Sequence, residues 1–589
     1  MKIIKLFYKL RDMRYSNYFY LFLYSIIFTL ISFVSANVSS IIYDYPFHLG
    51  RIVGLAHSIR HGDYLPNLNY LFLNGSGYAV PMFYGNWMFY IPALVFIKTK
   101  IATFAFTVFV GQTTLFTVFS TNYVLEKITK SKLRSFLGAI AVSCSVTYFG
   151  FGMSAVVPLI PLLVYGIYKV IYLDKLNPFL LAVTIALLVQ THIISTIVLA
   201  IFSLFLVIFN ITKLTLKKIR SFFLSLIISF FLMSGFIIQY LEQNKSQEFF
   251  VNWKLRDFPF PTEALMSPGS LIEIIQNYYW PEIFIFLIIS FVIFFKLSDY
   301  SKQLIIVTSL MFVLSSNLVP WSILKNTFLA VFQYTERLIY LLPIFVIIAL
   351  VSSASKTIVY IVVTLQLVIY LFAFPLKFTA QSVPYAERGY QSTATAIMDN
   401  TNRDALNAYT FPLNYTYDTS GDEYLNIDVN HESIRNGTIQ KFNFDSDRIE
   451  ISNIRHGYNK LEFDVNLKSL EKQTVVIPRI WYKGYNVEYS KGASGSQPHL
   501  VYIDRTDRER EELKKSRKPN LVQKVLYDGR AAIDISSSGH VIVQYKKTLM
   551  QWVGFVFEFL SFILLIAYCS LKYGYVHHNK IEQLKEKFV

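Results

Sequence analysis

Tyr43-Asp44-Tyr45-Pro46-Phe47-His48-Leu49-Gly50-Arg51 follows directly on an apolar run, Asn17 to Val38, and the reading of that junction decides the fold. A run of this length suits a membrane-crossing helix, and Lys2, Lys5, Lys9, Arg11 and Arg14 ahead of it fix its start in the cytoplasm. No small-residue cleavage site follows, so it reads as a retained signal-anchor. The quoted stretch then lies outside. Beyond Pro46 the pattern turns helical, which sets Asp44, His48 and Arg51 at i, i+4 and i+7 on one face of an interfacial helix. On the bland reading Asp44 is a cap, His48 a surface group and Arg51 a headgroup anchor. On the functional reading an acid, an imidazole and a guanidinium stand together at a membrane surface.

Composition supports the membrane assignment. The chain has 589 residues, 54% hydrophobic and 17% aromatic, with a mean hydropathy of +0.42, values of a polytopic membrane protein rather than a large soluble enzyme. Its net charge of +17 does not imply nucleic acid, because much of the basic excess lies in short loops beside apolar runs, where it sets orientation. Cys144 and Cys569 both lie in apolar segments, which excludes a disulfide framework and a thiolate metal site.

Outward from the first junction, residues 39–100 read as a long first external loop. Spans follow at about Ile101–Val124, Leu137–Phe149 and Ala155–Tyr172, then two short ones between Pro178 and Phe209 that place His192 at the outer turn. More lie at about Phe222–Tyr240, Glu282–Phe295, Leu304–Val319, Leu338–Val351 and Ile358–Phe374. Residues 377–550 turn polar and alternate in short runs such as Gln473–Pro478, Asn486–Tyr489, Ala532–Ser536 and His540–Tyr545, the signature of antiparallel strands. The dense charge run Arg505–Lys518 reads as a solvated loop or short helix. A last span at 551–571 leads to a basic cytoplasmic tail, 572–589. The expected fold is a polytopic α-helical membrane protein of about twelve spans, residues 1–376 and 551–571, with both termini cytoplasmic and an extracytoplasmic β-sandwich-like domain inserted before the last span.

Four polar features converge at the outer membrane level in this topology: Asp44/His48/Arg51, Gln190-Thr191-His192, Gln333 with Glu336-Arg337, and the loop Trp253–Asp257. Arg51 and Arg337 suit a lipid-linked phosphate, since a guanidinium presents a planar fork to its oxygens. Asp44 suits a general base on an acceptor hydroxyl. His48 or His192 could orient Asp44, assist proton transfer, or join it in holding a divalent metal, although one carboxylate and two imidazoles make a thin site for a hard cation. The bland counterparts are a histidine bonded within the helix bundle, a local Glu336-Arg337 pair and an aromatic-belt loop at Trp253. Glu558, inside the last span, is costly enough there to raise a functional suspicion, and snorkelling or a basic partner is the plainer account.

The order of these elements resembles membrane glycosyltransferases of the GT-C class, and more narrowly the bacterial YfhO-like proteins and those labelled "6-pyruvoyl-tetrahydropterin synthase-related". Asp44, Phe47-His48 and Arg51 resemble the first-loop pattern, Gly77-Tyr78-Ala79-Val80-Pro81 with Phe83-Tyr84 a Gly-Tyr-Gly-x-Pro run, and Thr191-His192 with Ser195 a Thr-His-x-x-Ser element. Phe332-Gln333-Tyr334-Thr335-Glu336-Arg337 is similar to Phe-Gln-Phe-Pro-Trp-Arg. Gly421-Asp422-Glu423-Tyr424-Leu425, Trp481-Tyr482-Lys483-Gly484-Tyr485 and Gly539–Val543 resemble the elements of the external domain. Ala79 replaces a glycine and Thr335-Glu336 replaces Pro-Trp; no pterin-binding domain or zinc-histidine cluster accompanies the label. The resemblance implies an inverting transferase of the cell envelope, with Asp44 as base, His48 and His192 beside it, and Arg51, Tyr78, Gln333, Glu336 and Arg337 on the substrate. Its donor would be a polyprenyl-phosphate sugar and its acceptor an envelope polymer, lipid or protein. A transporter or flippase of lipid-linked saccharides is the main alternative and favours midplane broken helices and internal repeats, whereas the polar groups here gather at the outer ends. A non-catalytic envelope-assembly scaffold is the third reading.

Overall fold

The computed structural model describes residues 16–38, 45–145, 152–249, 280–315, 319, 321–324, 327, 329, 335–380, 423–429, 438–501 and 529–586. Its first helices are α1 (Ser16–Val38), α2 (Tyr45–Arg60), α3 (Tyr90–Thr99), α4 (Ala102–Thr129) and α5 (Lys132–Cys144). Next come α6 (Ile160–Tyr172), which continues a 3₁₀ run from Gly152, then α7 (Phe179–Thr191), α8 (Ile193–Ile208), α9 (Leu216–Leu232) and α10 (Ser234–Ser246). The remaining longer helices are α11 (Trp280–Val292), α12 (Asp299–Leu314), α13 (Leu342–Ser353), α14 (Lys356–Ala380) and α15 (Leu549–Glu586), with single helical turns at Val80–Phe83 and Trp321–Leu324.

The expected dozen spans reduce to fewer clear ones. Among the described residues three helices are long and apolar enough to cross a membrane, Phe104–Thr129, Gly152–Tyr172 and Leu549–Lys572, with α9 and α10 a fourth if that bent pair is one span. The physical reason is length. A helix of 13 residues such as α7 or α11 rises only about 20 Å at 1.5 Å per residue, short of a hydrocarbon core of about 30 Å. The sequence also reads Phe222–Tyr240 as one straight span, whereas the chain bends by 74° between Leu232 and Ser234. Met233 leaves the helical region there, at φ −130° and ψ 17°. The last helix runs from Leu549 to Glu586 without a stop at the anticipated tail boundary.

The β strands are β1 (Ile449–Gly457), β2 (Lys460–Leu467), β3 (Gln473–Ile480), β4 (Tyr485–Ser490), β5 (Ser494–Gly495), β6 (His499–Leu500), β7 (Arg530–Ser537) and β8 (Gly539–Tyr545). They form two antiparallel sheets, β1-β2-β8-β4 and β3-β7-β5, with β6 pairing β7. Period-two alternation sends Leu461, Phe463 and Val465 of β2 and Val541 and Val543 of β8 inward, with Val475, Ile477, Ile533 and Ile535 of the other sheet in the same core. The charge run Arg505–Lys518 lies outside the described residues.

The first loop belongs to both units. Leu68, Tyr70, Phe72, Tyr78, Val80 and Phe83 share the buried core of the β domain, and Ile480 N donates to Ser76 O at 3.0 Å while Arg479 Nη1 donates to Gly75 O at 2.7 Å. The loop's other side presses on α2, where a Cβ on Gly54 would stand 2.1 Å from Asn69 Nδ2. Only a bare backbone admits that approach. Ala79, at φ −77°, holds a conformation open to any residue, so its replacement of glycine is accommodated.

Candidate functional site

Helix α2 forms because Pro46 presets the first turn and Leu49, Ile52, Val53 and Ala56 supply a buried face. His48 and Arg51 lie one turn apart on it and are both buried, at 3% and 4% exposure. Arg51 Nη1 donates to His48 Nδ1 at 3.3 Å. Its Nη2 donates to Gly85 O at 3.1 Å, Tyr84 O at 3.3 Å and Asn86 Oδ1 at 3.5 Å. The guanidinium carbon stands 4.5 Å from the Phe89 ring centre and 4.8 Å from that of Tyr84. Carbonyls and π faces therefore compensate the buried charge. Burial pulls the Arg51 pKa down to about 10, against the opposing effect of the Tyr84, Tyr424 and Tyr78 phenols, so it remains a cation at neutral pH.

His192 arrives from a helix break. Its backbone is extended, φ −161° and ψ 106°, which ends α7 and starts α8. Nδ1 caps α8 by accepting from Ser195 N at 3.0 Å. The loop after α2 is stitched to this break: Gly85 N donates to Gln190 O at 2.8 Å and Trp87 Nε1 to Thr191 Oγ1 at 2.8 Å. A Cβ on Gly85 would lie 2.2 Å from Gln190 O, so the contact requires glycine. The rings of Tyr84 and His192 are 5.5 Å apart, and the charges of Arg337 and Arg51 both act on His192.

The hydrogen bonds assign the imidazole tautomers. Each Nδ1 accepts, from Arg51 in His48 and from Ser195 in His192, which leaves each Nε2 carrying a proton. Among the described residues His48 Nε2 has no hydrogen-bond partner. Burial, then the Arg51 charge, then His192 hold the His48 pKa well below its ordinary 6.5, so it stays neutral. Two arginines and two N–H-bearing imidazoles thus gather. This is a buried, donor-rich cluster suited to an oxyanion.

Of the sequence candidates, His48, Arg51, His192 and Arg337 come together. Tyr78 does not: it is fully buried in the core shared with the β domain, and its hydroxyl donates to Glu423 O at 2.5 Å. Asp44, Gln333 and the Trp253–Asp257 loop lie outside the described residues, as does the Glu336 side chain. No three His, Cys, Asp or Glu side chains among the described residues gather to hold a metal, and the Nδ1 lone pairs of both histidines are already engaged.

Glu558 proves to be a join. Its Oε2 accepts from Gly235 N at 2.9 Å, at the start of α10, and its Oε1 from Gln190 Nε2 at 3.1 Å. A carboxylate at a helix N-terminus satisfies orphan donors that hydrocarbon cannot. Sequence reading overlooked Tyr84, Gly85, Asn86 and Phe89 as Arg51 partners, although Phe83-Tyr84 stood in a quoted motif. Backbone carbonyl ligands leave no residue-type signal.

Compared with protein-family models, curated proteins and solved structures, the chain matches none.

Proposed function

We propose that the chain is a membrane glycosyltransferase that moves a sugar from a polyprenyl-phosphate donor to an extracytoplasmic envelope acceptor. The observation that supports this reading is the buried donor-rich cluster of Arg51, His48 and His192 with the charge of Arg337 nearby. A lipid-linked sugar phosphate enters from the bilayer, and its phosphate oxygens need cationic and N–H donors in a dry site. The acceptor oxygen attacks the anomeric carbon as the bond from that carbon to the phosphate oxygen breaks. The lipid phosphate departs with the electron pair, and Asp44 takes the acceptor proton. Attack opposite the leaving group inverts the anomeric centre. Arg51 and the two Nε2–H groups gain strength as negative charge develops on the phosphate, which is where binding energy lowers a barrier.

The test is a deletion strain carrying wild-type protein or Asp44→Asn at equal membrane abundance, with mass spectrometry of envelope polymers and lipid-linked intermediates. Transfer predicts a sugar restored by wild type alone, with donor lipid accumulating in the variant. Equal restoration by both removes Asp44 as base and favours transport or scaffolding.

A further inference from the structure

The β domain reaches the candidate site through Tyr424. Its backbone lies in the left-handed region at φ +68°, which a bulky side chain holds only when its surroundings impose it. Two fully buried tyrosines impose it here. Tyr78 Oη donates to Glu423 O at 2.5 Å, and Tyr482 Oη donates to Tyr424 O at 2.9 Å. The loop is also tied to the end of α10 and the residues after it, where Ile427 N donates to Glu248 O at 2.9 Å and Asn426 bridges Phe249. Three backbone attachments therefore aim one side chain.

That side chain is aimed at the cluster's edge. The Tyr424 ring stacks on Phe83, centres 4.4 Å apart and planes 11° from parallel, and meets Tyr84 edge-on at 5.9 Å. Tyr84 in turn lies 4.8 Å beneath the Arg51 guanidinium and 5.5 Å from the His192 ring, and its carbonyl accepts from Arg51. The Tyr424 phenol acts electrostatically on Tyr84 and on Arg51. Contact runs unbroken from the β domain through Tyr424 and Tyr84 to both Arg51 and His192.

We infer that Tyr424 is a positioning residue of the Arg51–His192 cluster, donated by the external domain: its ring holds Tyr84, and Tyr84 sets the Arg51 guanidinium and covers His192. The cluster is thus complete only with the β domain seated. A mere packing tyrosine would need neither a left-handed backbone nor two buried phenols gripping it. The ligand-binding consequence rests on the proposed lipid-phosphate substrate; the positioning itself does not.

The test uses full-length protein in lipid nanodiscs and two readouts. In a Cys569→Ser background, His192→Cys reports how well Tyr84 covers position 192 through its rate of alkylation by iodoacetamide. Tyr424→Ala is expected to speed that reaction tenfold or more, and Tyr424→Phe, which keeps the ring, to change it less than twofold. Should Tyr424→Ala misfold, Tyr424→Gly removes the ring while relieving the left-handed backbone. The second readout, in otherwise native protein, is retention of a polyprenyl monophosphate, expected to weaken five- to tenfold in Tyr424→Ala or Tyr424→Gly and less than twofold in Tyr424→Phe, which keeps the ring. Alkylation unaltered by loss of the ring overturns the inference, as does equal lipid-phosphate binding by wild type and the variants lacking the ring. Wild-type protein that binds no polyprenyl monophosphate defeats the proposed substrate instead, and the alkylation rates then decide the role of Tyr424 alone.

Discussion

Replacing Glu558 separates a structural carboxylate from a catalytic one. The side chain holds the α9/α10 bend to the end of α7, through Gly235 N at 2.9 Å and Gln190 Nε2 at 3.1 Å. Glu558→Ala removes the acceptor of Gly235 N and leaves Gln190 Nε2 only Leu232 O, at 3.2 Å. Interhelical hydrogen bonds in membranes contribute about 0.6 kcal/mol on average and up to about 1.7 kcal/mol. Two such bonds place the cost at about 1–3 kcal/mol. At about 2–4 °C per kcal/mol, the melting temperature of the solubilised protein should fall by several degrees. Glu558→Gln keeps one acceptor oxygen and should lose about half as much, while retaining transfer activity when assayed below its melting point. A Glu558→Ala variant that melts with wild type would refute the capping account. A stable Glu558→Gln variant without activity would show that the charge itself is used.

Gly85→Ala should disrupt the seam between loop and helix break, since its methyl would need the space of Gln190 O; overpacking of this kind costs about 1–3 kcal/mol, read as a lower melting temperature with reduced activity. Arg51→Lys keeps a charge but loses the planar group shared among the Tyr84 and Gly85 carbonyls, so sugar transfer should fall at least tenfold at equal abundance. The depressed pKa of His48 sets the sign of a pH effect. Below about pH 6.5 the unfolded chain binds a proton that folded His48 refuses, so stability is full above that value and declines as pH falls toward the folded pKa. Melting temperature against pH should therefore slope less in His48→Gln than in wild type over the acidic limb.

Much of the architecture was legible because it depends on local pattern. Alternation located β3, β4, β7 and β8 to within a few residues, and the polar Gln190-Thr191-His192 interruption marked the α7/α8 break. The span count was not legible in the same way, because summed hydropathy over Phe222–Tyr240 carries no mark of a 74° bend at Met233. Within the site, His48 and Arg51 were visible as one helix face, and His192 and Arg337 as members of short polar runs in apolar surroundings. Their environment was hidden. Arg51 rests on carbonyls that any residue could supply, Tyr78 turned out to grip Glu423, and Tyr424 arrives from a domain more than three hundred positions along the chain. Such contacts arise from tertiary packing, which spacing along the sequence cannot report.

The most direct measurement of the central claim is conversion of a polyprenyl-phosphate-linked radiolabelled hexose by purified protein in nanodiscs, with envelope membranes as acceptor. The account predicts that wild-type protein releases the lipid phosphate and moves label into the acceptor, and that Asp44→Asn and Arg51→Met do neither while remaining folded. Donor left intact by wild type, or label moved equally well by the two variants, would contradict it.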